Sequence, residues 1–317
     1  MSDEVRQLQT ADSVRVVYRT WLPEGAARGA VQIVHGASEH SGRYGRLAAA
    51  LTDRGLAVYA MDLRGHGRTA ESSGVGRYGD AGDGASAGQD GQGVEGVLRD
   101  VAALQAVLSD EHPGVPRILL GHSMGSIVAL AAAERNRADL AGLVLSGPLG
   151  VNPDLADTVT ALEAAVDAGL GDQPLDALGQ FNAAFEPART GYDWLSRDPA
   201  EVDAYLADPL CGDDMPLTYG YAAEMFALSV RAGTEEAIAG LPDGLPVLLL
   251  SGRRDPVGGT DANQVNALAR LLRARGLPVE QHVYPDARHE VFNETNRDEV
   301  TGHLLDWLHQ RLAQPAG

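Results

Sequence analysis

Arg117-Ile118-Leu119-Leu120-Gly121-His122-Ser123-Met124-Gly125 runs a short apolar stretch straight into a Gly-x-Ser-x-Gly pentapeptide. Pro113 and Pro116 lead in the apolar part, which reads as a buried strand. Residues 126–137, rich in Ala and Leu, read as a helix. A serine caught between a strand end and a helix start sits on a sharp turn. Gly121 and Gly125 lack a Cβ, so strand and helix can approach closely and the turn can take a strained φ/ψ. That geometry lifts Ser123 Oγ out of the sheet. It also aims the Met124 N–H at whatever Ser123 attacks, reinforced by the helix N-terminus. In a chain with 38 glycines the pentapeptide alone would arise readily by chance. The strand–turn–helix setting is what makes Ser123 a candidate nucleophile.

The same rhythm extends in both directions. Upstream, residues 14–22 alternate and predict an antiparallel strand at a sheet edge, closed by Pro23-Glu24-Gly25. Residues 30–34 and 56–61 are apolar strands, with a helix over 44–54 between them that Gly55 stops. Residues 94–109 form an amphipathic helix through Val97, Val101, Leu104 and Leu108. Downstream comes a strand at 142–145, then a lapse in the rhythm over 148–242, where Pro and Gly break up helical pieces. Strand 246–250, helix 262–275, strand 279–284 and helix 298–312 complete the chain. Strands alternating with helices predict an α/β fold, a mainly parallel sheet covered on both faces. Residues 1–147 and 243–317 form its core, and 148–242 a helical lid inserted above the strand C-termini. Residues 70–93, rich in Gly, Ser and Asp, read as a surface loop. Within it Gly74-Val75-Gly76-Arg77-Tyr78-Gly79 fits Gly-x-Gly-x-x-Gly, but no strand precedes it and no helix follows, so dinucleotide binding is not expected.

A serine hydroxyl is a poor nucleophile. It needs an adjacent base, and the base needs an orienting acid. The best acid is Asp255, in the loop Ser251-Gly252-Arg253-Arg254-Asp255-Pro256-Val257 just past an apolar strand. A loop at a strand's C-terminal end is the correct edge for a site in a parallel sheet. Asp154, Asp261 and Asp286 are rivals. The best base is His289, after the last strand, which gives the order Ser, Asp, His. His35, His66 and His122 sit in tight turns and read as structural hydrogen-bonders. The oxyanion needs two donors. Met124 N–H supplies one, and the backbone N–H of Ala37, in the loop after strand 30–34, is assigned the other. His289-Glu290-Val291-Phe292-Asn293 nearly matches the zinc motif His-Glu-x-x-His. Asn293 stands where the second ligand is required, so no metal is expected, and no other cofactor.

Composition narrows the partners. The net charge is −19, and all 25 basic residues are arginine. No basic stripe exists for a phosphate backbone, so nucleic acid is excluded, and anionic membrane surfaces are repelled. No run approaches about 18 apolar residues, so no membrane span is expected and contact with a lipid surface would be transient. The start, Met1-Ser2-Asp3-Glu4, carries no apolar segment behind it, so no secretory leader is expected. Cys211 is the single cysteine, which rules out an internal disulfide and leaves the reducing cytoplasm as the default compartment. In the lid, Leu217, Tyr221, Met225 and Leu228 fall at steps of four, four and three on one helix face. They either line an acyl-chain tunnel above Ser123, with Phe226 beside them, or pack on the core.

Several motifs together resemble one family. His35-Gly36-Ala37-Ser38-Glu39-His40-Ser41-Gly42-Arg43-Tyr44, Asp62-Leu63-Arg64-Gly65-His66-Gly67, Gly121-His122-Ser123-Met124-Gly125, Asp255-Pro256-Val257 and Arg288-His289-Glu290 with Asn293-Glu294 stand in matching order. They resemble the monoacylglycerol lipase / lysophospholipase branch of the α/β-hydrolase superfamily. The resemblance implies Ser123 as nucleophile, Asp255 and His289 as its partners, and Ala37 and Met124 as oxyanion amides. It implies a serine hydrolase of single-chain lipid esters. Amide, peptide or thioester hydrolysis, or acyl transfer, would use the same triad, and a non-catalytic binding protein on this fold is the remote alternative. Asp-nucleophile dehalogenases and epoxide hydrolases are disfavoured because the elbow carries a serine. Ser38 departs from the family, which often has glycine there. In the variable lid only Asp208-Pro209-Leu210-Cys211-Gly212 is familiar, from some bacterial relatives.

Overall fold

The computed structural model describes residues 3–79, 93–135, 140–176 and 178–312. Ten strands and ten α-helices lie among them. Eight strands form the main sheet: β1 (Glu4–Gln9), β2 (Arg15–Trp21), β3 (Gly29–Val34), β4 (Leu56–Met61), β5 (Arg117–His122), β6 (Leu140–Ser146), β9 (Val247–Gly252) and β10 (Val279–Tyr284). Their order is β1-β2-β4-β3-β5-β6-β9-β10. All pairings from β4 to β10 are parallel, and β1–β2 and β2–β4 are antiparallel. Strands β3, β4 and β9 are buried at every residue. A strand covered on both faces needs no polar alternation, which is why these read as continuous apolar runs.

The helices divide between the two faces. On one lie α1 (Gly45–Thr52) and α10 (Arg297–Leu312), joined through Leu47, Leu51, Leu304 and Trp307 in one core layer. On the other lie α3 (Val94–Glu111), α4 (Met124–Arg135) and α9 (Asn263–Ala274), whose apolar faces share a second layer. A short α2 (Ala70–Ser73) follows β4. Between β6 and β9 the chain leaves the sheet and makes α5 (Leu155–Ala165), α6 (Pro199–Ala207), α7 (Tyr219–Ala232) and α8 (Glu235–Ala239). A small two-stranded ribbon, β7 (Pro174–Leu175) with β8 (Leu217–Thr218), lies in the same segment. No helix among the described residues is long and apolar enough to cross a membrane.

Two expectations change. Strand β2 is not the sheet edge. Residues Glu4–Gln9 pair alongside it as β1, with Glu4 opposite Thr20 and Gln9 opposite Arg15. β1 has no apolar signature because none of its residues is buried. Its partners are the backbone of β2 and the ion pair of Arg6 with Glu111 at 2.8 Å. The second change concerns residues 70–79, which are not a free surface loop. They form α2 and then a turn wedged against the inserted segment. Thr218 Oγ1 donates to the Gly76 carbonyl at 2.7 Å and Tyr78 Oη to the Tyr221 carbonyl at 3.0 Å. Gly76 has φ +60°, and a Cβ there would fall 2.3 Å from the Pro216 carbonyl oxygen. The Gly-x-Gly-x-x-Gly pattern thus serves close packing. Residues 80–92 of the expected loop lie outside the described residues.

Candidate active site

Parallel pairing puts the C-terminal ends of β3, β5, β6, β9 and β10 along one edge of the sheet. The loops leaving those ends carry Ala37, Ser123, Gly147, Asp255 and His289 respectively. Ser123 fills the single position between β5 and α4, with φ +53°. A left-handed serine costs roughly 1–2 kcal/mol, so neighbours must hold it there. They do so through its backbone: Ser123 N–H donates to Ser146 O at 2.9 Å, and Ser126 N–H donates to Ser123 O at 2.8 Å. The flanking glycines serve close packing. A Cβ on Gly121 would lie 2.2 Å from the Gly125 carbonyl oxygen, and one on Gly125 would lie 2.1 Å from that of Val34. Only glycine lets α4 seat this tightly on β5 and β3.

Asp255 and His289 form the other half. Asp255 Oδ2 lies 2.9 Å from His289 Nδ1, and Val257 N–H donates to Asp255 Oδ1 at 2.9 Å. Exposure is 1% for Asp255 and 2% for His289. The rivals Asp154, Asp261 and Asp286 are all exposed. Asp255 Oδ2 accepts a hydrogen bond from Nδ1–H, which leaves Nε2 with the ring's lone pair. Burial opposes charge on the imidazole, but the Asp255 carboxylate and its hydrogen bond outweigh it, with Glu290 and Glu39 adding to the effect. The His289 pKa is raised above its ordinary value. Ser123 and His289 share a neighbour. Ser123 bonds Ser146, and a Cβ on the next residue, Gly147, would come 3.1 Å from His289 Nδ1. The ring is wedged between His122 and Trp194, with centroids at 4.8 and 4.9 Å.

The loop after β3 completes the floor. A Cβ on Gly36 would fall 3.0 Å from Ser123 Cβ, so the loop crosses Ser123 at glycine distance. Among the described residues, neither Ala37 N–H nor Met124 N–H donates to another group. Two free amides flanking a serine can receive a developing negative charge. Ser38 takes φ +54°, a conformation that favours glycine. Its carbonyl is held by two groups of the inserted segment, Tyr205 Oη at 2.8 Å and Gly212 N–H at 3.0 Å. His40 Nε2 meets Asp208 Oδ2 at 2.9 Å, so the stretch 208–212 docks on this loop. His40, Asp208 and Cys211 cluster closely enough to suggest a metal. His40 Nδ1, however, accepts from Gly42 N–H at 3.1 Å, which puts the ring proton on Nε2 toward Asp208 and not a lone pair for a cation.

The turn histidines are hydrogen-bonded. His35 Nε2 accepts from Leu63 N–H at 2.9 Å, and His66 Nδ1 lies 3.1 Å from the Arg64 carbonyl. His122 Nδ1 lies 3.1 Å from the Ser146 carbonyl, and burial with His289 beside it pushes the His122 pKa down to about 4. Leu217 is not on the expected helix face: it pairs with Leu175 in β8, and Thr218 caps α7, which starts at Tyr219. Leu217 and the α7 residues Tyr221, Met225 and Leu228 are all buried in the main core layer, and α7 packs on α3 and α4. Tyr221 stacks on Tyr78 at 4.1 Å, and its hydroxyl donates to Arg64 O. Leu217 also lines a cavity of about 170 Å³ beside Ser38, together with Pro174, Leu175, Leu178 and Tyr192. Sequence reasoning gave no role to Glu39, Arg43, Trp194, Tyr205 or Glu290. The i,i+4 spacing of Glu39 and Arg43, and the position of Glu290 next to His289, were the signals available.

Residues 25–296 match the family described as serine aminopeptidase, S33. The chain is 32% identical over 309 residues to a monoacylglycerol lipase of Mycolicibacterium smegmatis, covering 94% of each sequence. It is 30% identical to the Homo sapiens monoglyceride lipase, covering 98% of this chain and 92% of that one. The crystal structure of a thermostable carboxyl esterase from Bacillus coagulans, in complex with glycerol, superposes with a TM-score of 0.88 at 28% identity. That match covers 98% of this chain and 99% of the other. The chain belongs to the serine aminopeptidase, S33 family of α/β-hydrolases, in the branch that resembles the monoacylglycerol lipases.

Proposed function

We propose that this chain hydrolyses carboxylic esters of single-chain lipids, of the monoacylglycerol or lysophospholipid type, through an acyl-enzyme on Ser123. The observation that carries the reading is the buried Asp255–His289 pair at 2.9 Å beside a strained serine elbow. Ser123 Oγ attacks the acyl carbon while His289 Nε2 takes its proton. Ala37 and Met124 N–H bind the oxyanion. His289 then returns the proton to the leaving alcohol, and water attacks the acyl carbon by the same route in reverse. Asp255 accepts the hydrogen bond from Nδ1 and holds the imidazole in one tautomer. Residues 148–242 act as a lid over this edge. Substrate enters past the cavity beside Ser38, which makes Leu217 a contact, while Tyr221, Met225 and Leu228 seat the lid on the core. The enzyme is assigned to the cytoplasm, in keeping with its one buried, unpaired cysteine.

Cleavage of an amide is a second reading, favoured by the aminopeptidase description of the matched family. The test is a 1-monoacylglycerol series from short to long chains, run beside lysophosphatidylcholine and aminoacyl anilides with Ser123→Ala as control. Serine-dependent turnover peaking at medium or long acyl chains is expected. Turnover confined to the anilides would overturn the ester reading in favour of the amide one.

A further inference from the structure

The base and the oxyanion loop come from opposite ends of the chain, and one guanidinium joins them. Arg43 Nη1 donates to Glu290 Oε1 at 2.5 Å and Arg43 Nη2 to Glu290 Oε2 at 2.8 Å, a two-pronged contact. Nη1 also donates to Glu39 Oε2 at 2.9 Å. The other oxygen of Glu39 accepts from Gly36 N–H at 2.6 Å and from Tyr44 Oη at 2.8 Å. Gly36 is the glycine that crosses Ser123 and precedes Ala37. Glu290 follows His289, and its own N–H donates to Leu195 O at 2.8 Å. Arg43 further stacks over the Tyr205 ring at 4.8 Å, the tyrosine that holds Ser38. Both carboxylates and the guanidinium are nearly buried.

We propose that Arg43 is a positioning residue for the reaction, tying the oxyanion loop, through Glu39, to the histidine loop, through Glu290. The inference rests on Ser123 as nucleophile with His289 as base. Two carboxylates against one cation leave the cluster with one net buried negative charge, and that excess faces His289. Burial works against the charge of Glu39, but Arg43 outweighs it and holds that carboxyl below the usual range; Arg43 does the same for Glu290. The groups facing His289 are Asp255, Glu290 and Glu39, which favour its protonation, and the neutral His122 ring; Arg43 is bonded to both glutamates. The arrangement therefore fixes the distance between the base and the oxyanion donors, and it adds negative charge near the base.

Arg43→Lys keeps the charge and loses the fork. A displacement of about 1 Å at a reacting centre costs about a hundredfold, so kcat is expected to fall about 10- to 100-fold with KM within about twofold. A trifluoromethyl ketone, which forms a tetrahedral adduct on the serine, should lose affinity by the same factor as kcat/KM. Glu290→Gln leaves one carboxylate to one cation and is the second variant, checked for the parent fold by circular dichroism. It should lower kcat and move the acid limb of kcat/KM to lower pH, because one charge favouring protonated His289 is gone. A folded Glu290→Gln with kcat within twofold of the parent and an unmoved limb would overturn the proposal. Fluorophosphonate labelling of the parent protein separates the two levels. Full labelling with unaffected variants removes only the role of Arg43, whereas absent labelling removes the underlying assignment of Ser123.

Discussion

Replacing Asp255 by Asn tests the account through a single proton. Asp255 has two fixed partners, Val257 N–H on Oδ1 and His289 Nδ1 on Oδ2, each at 2.9 Å. In the variant, Val257 N–H still demands an acceptor, so the amide oxygen takes the Oδ1 position. The amide NH₂ is then turned toward His289 Nδ1, which must accept. The ring proton moves to Nε2, where a lone pair is required to receive the proton of Ser123. Both groups are buried, so water cannot supply the missing acceptor. The structure is isosteric and the fold is retained, yet kcat should fall by about 10⁴, or roughly 5.5 kcal/mol of barrier. Initial rates on a 4-nitrophenyl ester, with circular dichroism to verify folding, measure it. A fall of only a few-fold in a folded variant would refute the reasoning and move the orienting role to another carboxylate.

The remaining expectations follow the same geometry. His289 must be neutral to act, and its pKa is raised because Asp255, with Glu290 and Glu39, outweighs burial. Activity therefore falls as pH drops through a value above the ordinary histidine pKa of about 6.5; a pH profile of kcat/KM with its limb at or below that ordinary value would contradict this. Ser123→Gly should raise thermal stability over Ser123→Ala by about 1 kcal/mol, since glycine tolerates φ +53° and alanine does not; calorimetry giving the reverse order would count against a strained elbow. Tyr205→Phe removes one of two donors to the Ser38 carbonyl and should cost about 1 kcal/mol of stability and a few-fold in kcat. Adding Ser38→Gly should recover part of the kcat loss, and no recovery would mean that Tyr205 does not act through the φ of Ser38.

Much of this was legible because it rests on local chemistry. The elbow is written in Gly121 and Gly125, whose missing Cβ atoms the packing requires. The buried strands announce themselves as unbroken apolar runs, and each site residue lies just past one. β1 was invisible because an edge strand this exposed, with only Leu8 packed against the core, alternates Glu, Arg and Gln with just two apolar residues, Val5 and Leu8. The stripe Tyr221, Met225 and Leu228 was legible as an apolar helix face but not as to what it faces, since core packing and a tunnel wall demand the same residues; Leu217 fits the same spacing yet lies in β8, because the capping residue Thr218 starts the helix after it. The Arg43 bridge was out of reach for another reason. Glu39 and Glu290 are 251 positions apart in sequence, and no local pattern reports a contact that only the closed fold creates.

The most direct measurement is mass spectrometry of the protein after reaction with a fluorophosphonate. One adduct per chain is expected, on the peptide carrying Ser123, abolished in Ser123→Ala together with ester turnover. An adduct on a different residue, or substantial turnover in Ser123→Ala, would contradict it.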